Sequence, residues 1–264
     1  MRLKITHRTE YSYDVPLGYA LERLRLTPYS GGAQTVHSWS LAIEGAREEV
    51  RFVDQFANET ILISAEGGPR AIAVEARGEV ETRETAGVTG PHRGFAPLWL
   101  FEHQTKLTAS GEGIARLAET IGEGSELDRL HRLMATVAES VAYLKGTTDV
   151  ATPAEEALAR KSGVCQDHAH VFISAARRLG FPARYISGYL WTEESSGHAA
   201  SHAWAEAHVE ALGWVGFDPA NGMSPDERYV RLATGRDYRD ATPVSGIRLG
   251  QASELLAVSV TVEQ

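Results

Sequence analysis

The chain has 264 residues, 43% hydrophobic and 23% charged, with 26 Lys and Arg against 35 Asp and Glu for a formal charge of −9. That length can bury an apolar core without crosslinks, as one large domain or two modest ones, and no run approaches the roughly 18 apolar residues of a membrane span. The acidic balance, with no basic cluster, excludes a nucleic-acid surface, and Met1-Arg2-Leu3-Lys4-Ile5-Thr6 lacks the apolar run of a secretory signal, so a cytoplasmic protein is expected.

Short apolar runs separated by turn residues fill the first part of the chain: Leu3 to Tyr13, Leu21 to Leu26, His37 to Ile43, Thr60 to Ile63 and Ala71 to Val80. Gly31-Gly32, Glu44-Gly45 and Gly67-Gly68-Pro69 punctuate them, which predicts a β-sandwich-like domain over residues 1–95, serving as scaffold or docking surface. After Gly87 to Pro97 the character changes, and Ile114 to Ile121 and Leu127 to Leu144 carry apolar residues at helical spacing. Ser125 is the expected N-cap of the second helix, and Thr152-Pro153 opens a further short one. Cys165 to Leu179 predicts a central helix: Ala169, Phe172, Ala176 and Leu179 recur at three and four, and Gly180-Phe181-Pro182 forbids continuation. Strands are expected at Ala183 to Trp191, His202 to Glu210 and Trp214 to Asp218. Helices followed by contiguous strands predict an α+β module over residues 96–264 rather than a doubly wound parallel sheet. Leu255 to Val262 reads as one more strand, assigned to neither module.

A single cysteine forms no internal disulfide and no thiolate-rich zinc site, so Cys165 is either a small buried hydrophobe or a reactive thiol. Ser162-Gly163-Val164-Cys165-Gln166-Asp167-His168 sets it at the start of the predicted helix, behind a small-residue turn. There the helix dipole favours thiolate over thiol, and unpaired N–H groups can hold the oxyanion of a tetrahedral intermediate. Downstream, a period of two puts His202, Trp204, Glu206 and His208 on one face of a strand and Trp214, Gly216 and Asp218 on one face of the next. If even positions pair with even positions, His202 and Asp218 share a surface on which a carboxylate fixes the tautomer and orientation of an imidazole. Direct opposition needs a hairpin centred near residue 210, whereas Ala211-Leu212-Gly213 points to a later centre, so a bulge or strand twist is required.

Asp167 is either a first-turn acid facing the helix dipole or a substrate contact beside the thiol. Tyr189 and Trp204 divide between core packing and a substrate wall, and with Asp167 they are the substrate-side candidates. Arg184 is expected in an internal ion pair. His168 and His170 fail as a metal cluster with Cys165 and Asp167, because positions 167 and 170 point away from the face shared by 165 and 168; no metal and no cofactor is expected. His198 and His208 are read as solvated or pocket-lining. Tyr143 and Trp99 are the upstream residues from which a second oxyanion donor would come.

Gly163-Val164-Cys165-Gln166-Asp167, Leu179-Gly180-Phe181-Pro182-Ala183-Arg184-Tyr185, Ser201-His202-Ala203-Trp204 and Phe217-Asp218-Pro219 together resemble the bacterial transglutaminase-like superfamily. Tyr13-Asp14-Val15-Pro16, with Leu24-Arg25-Leu26-Thr27-Pro28 behind it, resembles the β-rich region that precedes this catalytic domain in bacterial members. The resemblance implies a papain/transglutaminase-like core, a central helix packed on an antiparallel sheet. It also implies that Cys165 attacks an amide carbonyl of a peptide or protein substrate, His202 moves the proton and Asp218 orients His202, through a thioester acyl-enzyme resolved by water or an amine. Hydrolysis is expected over protein-glutamine transamidation, which needs an apolar tunnel to desolvate the amine. Ser195 to Ser201, with Glu206, reads as a mobile, wet rim, whereas convergence of Trp191, Trp204 and Trp214 would supply a tunnel. A non-catalytic peptide-binding module of the same fold is the remaining alternative.

Overall fold

A computed structural model describes residues 1–193, 201–250 and 252–264. Six strands come first: β1 Arg2–Tyr13, β2 Tyr19–Thr27, β3 Gln34–Glu44, β4 Arg47–Val53, β5 Glu59–Glu66 and β6 Ala71–Thr82. A short β7, Val88–Gly90, and a 3-10 turn at Leu98–Glu102 lead to α1 Glu112–Glu119, α2 Glu126–Ser140, β8 Ala142–Tyr143, α3 Ala154–Arg160, β9 Ser162–Gly163 and α4 Cys165–Arg178. The chain ends through β10 Ala183–Leu190, β11 Ser201–Val209, β12 Gly213–Phe217, β13 Tyr229–Gly235, α5 Tyr238–Ala241, β14 Val244–Leu249 and β15 Glu254–Glu263. No helix among the described residues is long and apolar enough to cross a membrane.

Two four-stranded sheets, ordered β15-β1-β6-β3 and β14-β2-β5-β4, enclose a core that includes Leu3, Ile5, Leu24, Ile61, Ile63 and Val74. Alternation builds it: along β1 the inward row is Leu3, Ile5, His7 and Thr9, all at most 3% exposed. The row turns from apolar to polar halfway along the strand, where it passes from the sandwich core to a cleft described below. β4, which no period-two pattern announces, is exposed throughout.

The expected α+β core is present. Sheet β13-β10-β11-β12-β7 is antiparallel and packs on α4, whose residues Gln166 to Arg177 are all buried. Ala169, Ala175 and Ala176 on the helix, with Ala203, Ala205 and Ala207 on β11, let the two backbones approach. Phe172 and Ile173, fully buried, each stabilise this packing by about 2 kcal/mol. Gly180 at φ +86° ends the helix as expected, and the Ser125 side chain accepts the Asp128 N–H at the start of α2. α2 stops at Ser140 rather than continuing to Leu144, because Ala142 and Tyr143 pair in parallel with Ser162 and Gly163.

Sheet membership runs across the division expected at residues 95 and 96. β7 pairs with β12, while the two last strands return to the sandwich, β14 beside β2 and β15 beside β1 over ten residue pairs. Pairing between positions some 250 residues apart leaves no local mark in the sequence.

Candidate active site

Cys165, a partly exposed free thiol, is the first residue of α4. Val164 accepts the N–H groups of Asp167 and His168 through its carbonyl, at 2.9 and 3.1 Å, and no acceptor among the described residues faces those of Cys165 and Gln166. Two oriented donors are therefore free beside the sulfur, the arrangement that can stabilise an oxyanion. Asp167, 1% exposed, does not line the cleft. Its Oδ2 accepts the Val164 N–H and the Thr148 hydroxyl, both at 2.7 Å, so it braces the turn from behind. Gly163 makes room for this brace: a Cβ there would lie 2.6 Å from Asp167 Cβ and Oδ2.

The hairpin supplying the other two residues pairs Ala205 with Phe217, Glu206 with Gly216 and Val209 with Gly213, which centres it on residue 211. His202 and Asp218 are thus two residues out of direct opposition, and neither a bulge nor an earlier turn corrects this; the side chains reach each other diagonally. His202 Nε2 lies 2.7 Å from Asp218 Oδ2. Cys165 lies close enough to act on the same imidazole. With Nε2 on the carboxylate, Nδ1 is the nitrogen left for sulfur. Burial disfavours charge on this imidazole, but Asp218 and Cys165, as acceptors and through their negative charges, outweigh it and raise the His202 pKa to about 10.

Asp218 is fully buried, and burial alone would raise its pKa; hydrogen bonds and the His202 charge hold it below the usual carboxylate value instead. Asn221 Nδ2 and the Tyr229 hydroxyl both donate to Oδ2, at 2.7 and 2.8 Å, and the Ala220 N–H donates to Oδ1 at 3.0 Å. Neither Asn221 nor Tyr229 was expected at the site. Asn221 had a signal, since Asp218-Pro219-Ala220-Asn221 is a side-chain-capped turn sequence; Tyr229 arrives from β13 and had none.

The thiol and imidazole open onto a cleft of about 300 Å³ between the two modules. β1 contributes His7, Thr9 and Tyr11, and β15 contributes Leu256 and Val258, so the sandwich forms one wall. Tyr189 lies in this cleft, its hydroxyl 2.9 Å from His7 Nδ1, and burial pulls the His7 pKa down to about 4, leaving it neutral. Trp204 is not in the cleft. It is buried alongside His202, rings stacked at 6.4 Å, and edge-on to Tyr229 at 5.4 Å. Tyr143 is half exposed near the sulfur; burial, then the Cys165 and Asp218 charges, push its pKa up. Trp99 instead sits in the 3-10 turn, edge-on to His103. His168 directs both ring nitrogens at backbone carbonyls, and the fully buried His170 accepts the Tyr238 N–H. Arg184 is ion paired to Glu206 at 2.6 Å, as expected. His208 is edge-on to Trp214. His198 lies outside the described residues.

Similarity to curated relatives runs over nearly the whole chain. An uncharacterized protein of Mycobacterium leprae is 29% identical over 99% of this chain and 98% of its own, and one from Mycobacterium tuberculosis H37Rv is 27% identical over 99% and 92%. The crystal structure of a candidate cysteine protease from Cytophaga hutchinsonii superposes with a TM-score of 0.77 over 100% of this chain and 91% of its own, at 20% identity, which establishes the common fold. Residues 3–81 match the bacterial transglutaminase-like N-terminal region, and residues 115–219, which contain Cys165, His202 and Asp218, match the transglutaminase-like superfamily. Residues 115–219 are thus similar to the transglutaminase-like superfamily, behind a region similar to the bacterial transglutaminase-like N-terminal region, and that family match supports cysteine-based catalysis in general.

Proposed function

We propose that the protein is a cysteine-dependent amide hydrolase acting on peptide-type bonds, with Cys165 as nucleophile, His202 as proton carrier and Asp218 as the residue that orients it. The observation that carries this reading is the placement of His202 between the buried Asp218 carboxylate and the Cys165 thiol. With its pKa raised to about 10, His202 takes the thiol proton as sulfur attacks. The thiolate attacks the carbonyl carbon, and the oxyanion is met by the free N–H groups of Cys165 and Gln166, with the Tyr143 hydroxyl nearby. His202 gives its proton to the leaving amine as the C–N bond breaks, leaving a thioester. Neutral His202 then takes a proton from water, whose oxygen attacks the thioester, and returns it to sulfur as the acid departs. Asp218 stays ionised throughout. This chemistry requires no cofactor.

Water rather than an amine is the proposed acceptor. Trp191 packs against the sandwich core, Trp204 against Ile186 and Tyr229, and Trp214 against Phe56 and Phe101. The three tryptophans do not converge, so they form no apolar amine tunnel. The rim residues 195–200 lie outside the described residues, and Glu206, expected on the same wet rim, is instead fully buried between Arg184 and Arg231. The test is incubation with peptidyl amides, with and without a dansylated amine, following free acid, amine incorporation and the thioester by mass spectrometry. Free acid should dominate and Cys165→Ala should abolish the thioester. Predominant amine incorporation would replace hydrolase with transamidase; absence of any thioester would leave a binding module.

A further inference from the structure

A second cavity of about 190 Å³ lies behind the catalytic hairpin and shares no lining residue with the cleft. On β10, Arg184 lines this cavity while Tyr185 and Ser187 line the cleft; on β11, Trp204 and Glu206 line the cavity while Ser201, His202 and Ala203, at the start of the strand, line the cleft; on β13, Tyr229, Arg231 and Thr234 line the cavity and Leu232 the cleft.

Its interior carries uncompensated positive charge. Glu206 is fully buried and accepts from Arg184 Nε at 2.7 Å through Oε2 and from Arg231 Nη1 at 2.6 Å through Oε1. One carboxylate therefore stands between two guanidiniums, both always charged at neutral pH. Burial, joined by the Arg231 charge and opposed by Glu206, pulls the Arg184 pKa down to about 10. Arg231 is 7% exposed, and its Nε has no partner. Toward solvent the cavity is lined by Arg83, which faces Glu81 at 3.8 Å, and by Arg93, which has no ion pair or hydrogen bond among the described residues, while Asp226 is already paired with Arg228 at 2.7 Å. A chain of net charge −9 thus concentrates four arginines around two carboxylates at one cavity. Aromatic side chains of Tyr29, Phe56, Trp204 and Tyr229 form part of the remaining wall.

We infer that this cavity is a binding site for a small organic carboxylate with an aromatic or aliphatic body, its charge met by Arg231 and Arg93. A buried excess guanidinium with a free N–H is costly unless an anion completes it, and a planar carboxylate suits the guanidinium edge. The bound molecule would be one side chain away from the proposed catalytic pair, since Trp204 stacks on His202 and Tyr229 donates to Asp218.

The test uses the full chain with Cys165 carbamidomethylated to occupy the cleft, titrated calorimetrically with phenylacetate and with phenylacetamide, which has the same body without the charge. Phenylacetate should bind saturably, about tenfold or more tighter than the amide, and Arg93→Ala, an exposed change that leaves the fold intact, should weaken it by about tenfold. Arg231→Gln, checked for native circular dichroism, should weaken it further. Equal binding of acid and amide, no saturable binding, unchanged affinity in Arg93→Ala, or binding only before carbamidomethylation would each overturn the assignment.

Discussion

Tyr229 donates its hydroxyl to Asp218 Oδ2 at 2.8 Å and packs its ring edge-on to Trp204, which in turn stacks on His202. The carboxylate and the imidazole it orients are thus held by one continuous aromatic support. Tyr229→Phe keeps the packing and removes one hydrogen bond to a charged group, worth about 1.5–3 kcal/mol. Peptidyl-amide turnover should fall by about tenfold or more while KM changes little, and the Asp218 carboxyl should titrate higher, as followed by NMR of a 13C-labelled carboxylate. A fall confined to KM would place Tyr229 on the substrate instead.

Asp218→Asn should lower kcat by about 10³-fold or more, because the amide no longer stabilises the imidazolium or fixes its tautomer. It should also bring the His202 pKa well down from about 10, since hydrogen bonding and charge from Asp218 are leading causes of its elevation. Histidine NMR titration separates this from simple unfolding: a folded variant whose His202 still titrates near 10 would remove Asp218 from its role.

Much of this pair was legible in the sequence, and the reason lies in range. A helix start at Cys165, a stop at Gly180 and the faces of β11 and β12 are set by neighbours within a few residues, so spacing and caps reveal them. The diagonal contact was not visible, because register depends on where the turn closes, and β11–β12 centres on residue 211. Asp167 was legible as a first-turn acid, but its engagement with Thr148, 19 residues earlier, had no local signature. Least visible was the wall built by His7, Thr9 and Tyr11: Tyr189, the partner of His7, is 182 residues away and in a different sheet, so only the packing of one sheet against the other brings them together.

The pH dependence of stability follows from the same pair. The folded His202 pKa, about 10, exceeds its ordinary 6.5, so its contribution is fully present below 6.5 and is lost as pH rises toward 10. Asp218 is shifted the other way, so its contribution is present above its ordinary 3.8 and lost as pH falls. The difference in urea-unfolding free energy between the parent chain and Asp218→Asn should therefore be larger at about pH 6 than at about pH 10. A difference that does not change with pH would show that the pair is not ionised.

Selectivity should reflect the cleft. None of its described lining residues is Asp, Glu, Lys or Arg, and His7 at its base is neutral. A charged substrate side chain entering it would lose hydration without gaining a charged partner other than His202, which is engaged by Asp218. Across a panel of peptidyl amides, uncharged aliphatic or aromatic residues on the acyl side should exceed Glu and Lys counterparts by about 10²-fold in kcat/KM. His7→Leu should narrow the preference toward purely apolar residues, since the His7–Tyr189 pair is the polar feature at the cleft base. Equal rates for charged and neutral substrates would mean that side chains do not enter.

Glu206 carries the largest predicted structural penalty. Its two oxygens are divided between Arg184 and Arg231, and it is wholly removed from water. Glu206→Gln keeps the volume but leaves two buried guanidiniums facing each other, at a cost of about 3–5 kcal/mol. Removing one cation as well should recover much of the loss, because the repulsion disappears with it, so Arg184→Met combined with Glu206→Gln should be more stable than Glu206→Gln alone. The recovery is expected to be incomplete, since the Arg184 guanidinium also lies 3.9 Å over the Trp214 ring, a contact that methionine replaces only in part. Urea unfolding of the parent, both single variants and the double variant closes the cycle. Additive losses in that cycle would mean that Arg184 and Glu206 are not coupled.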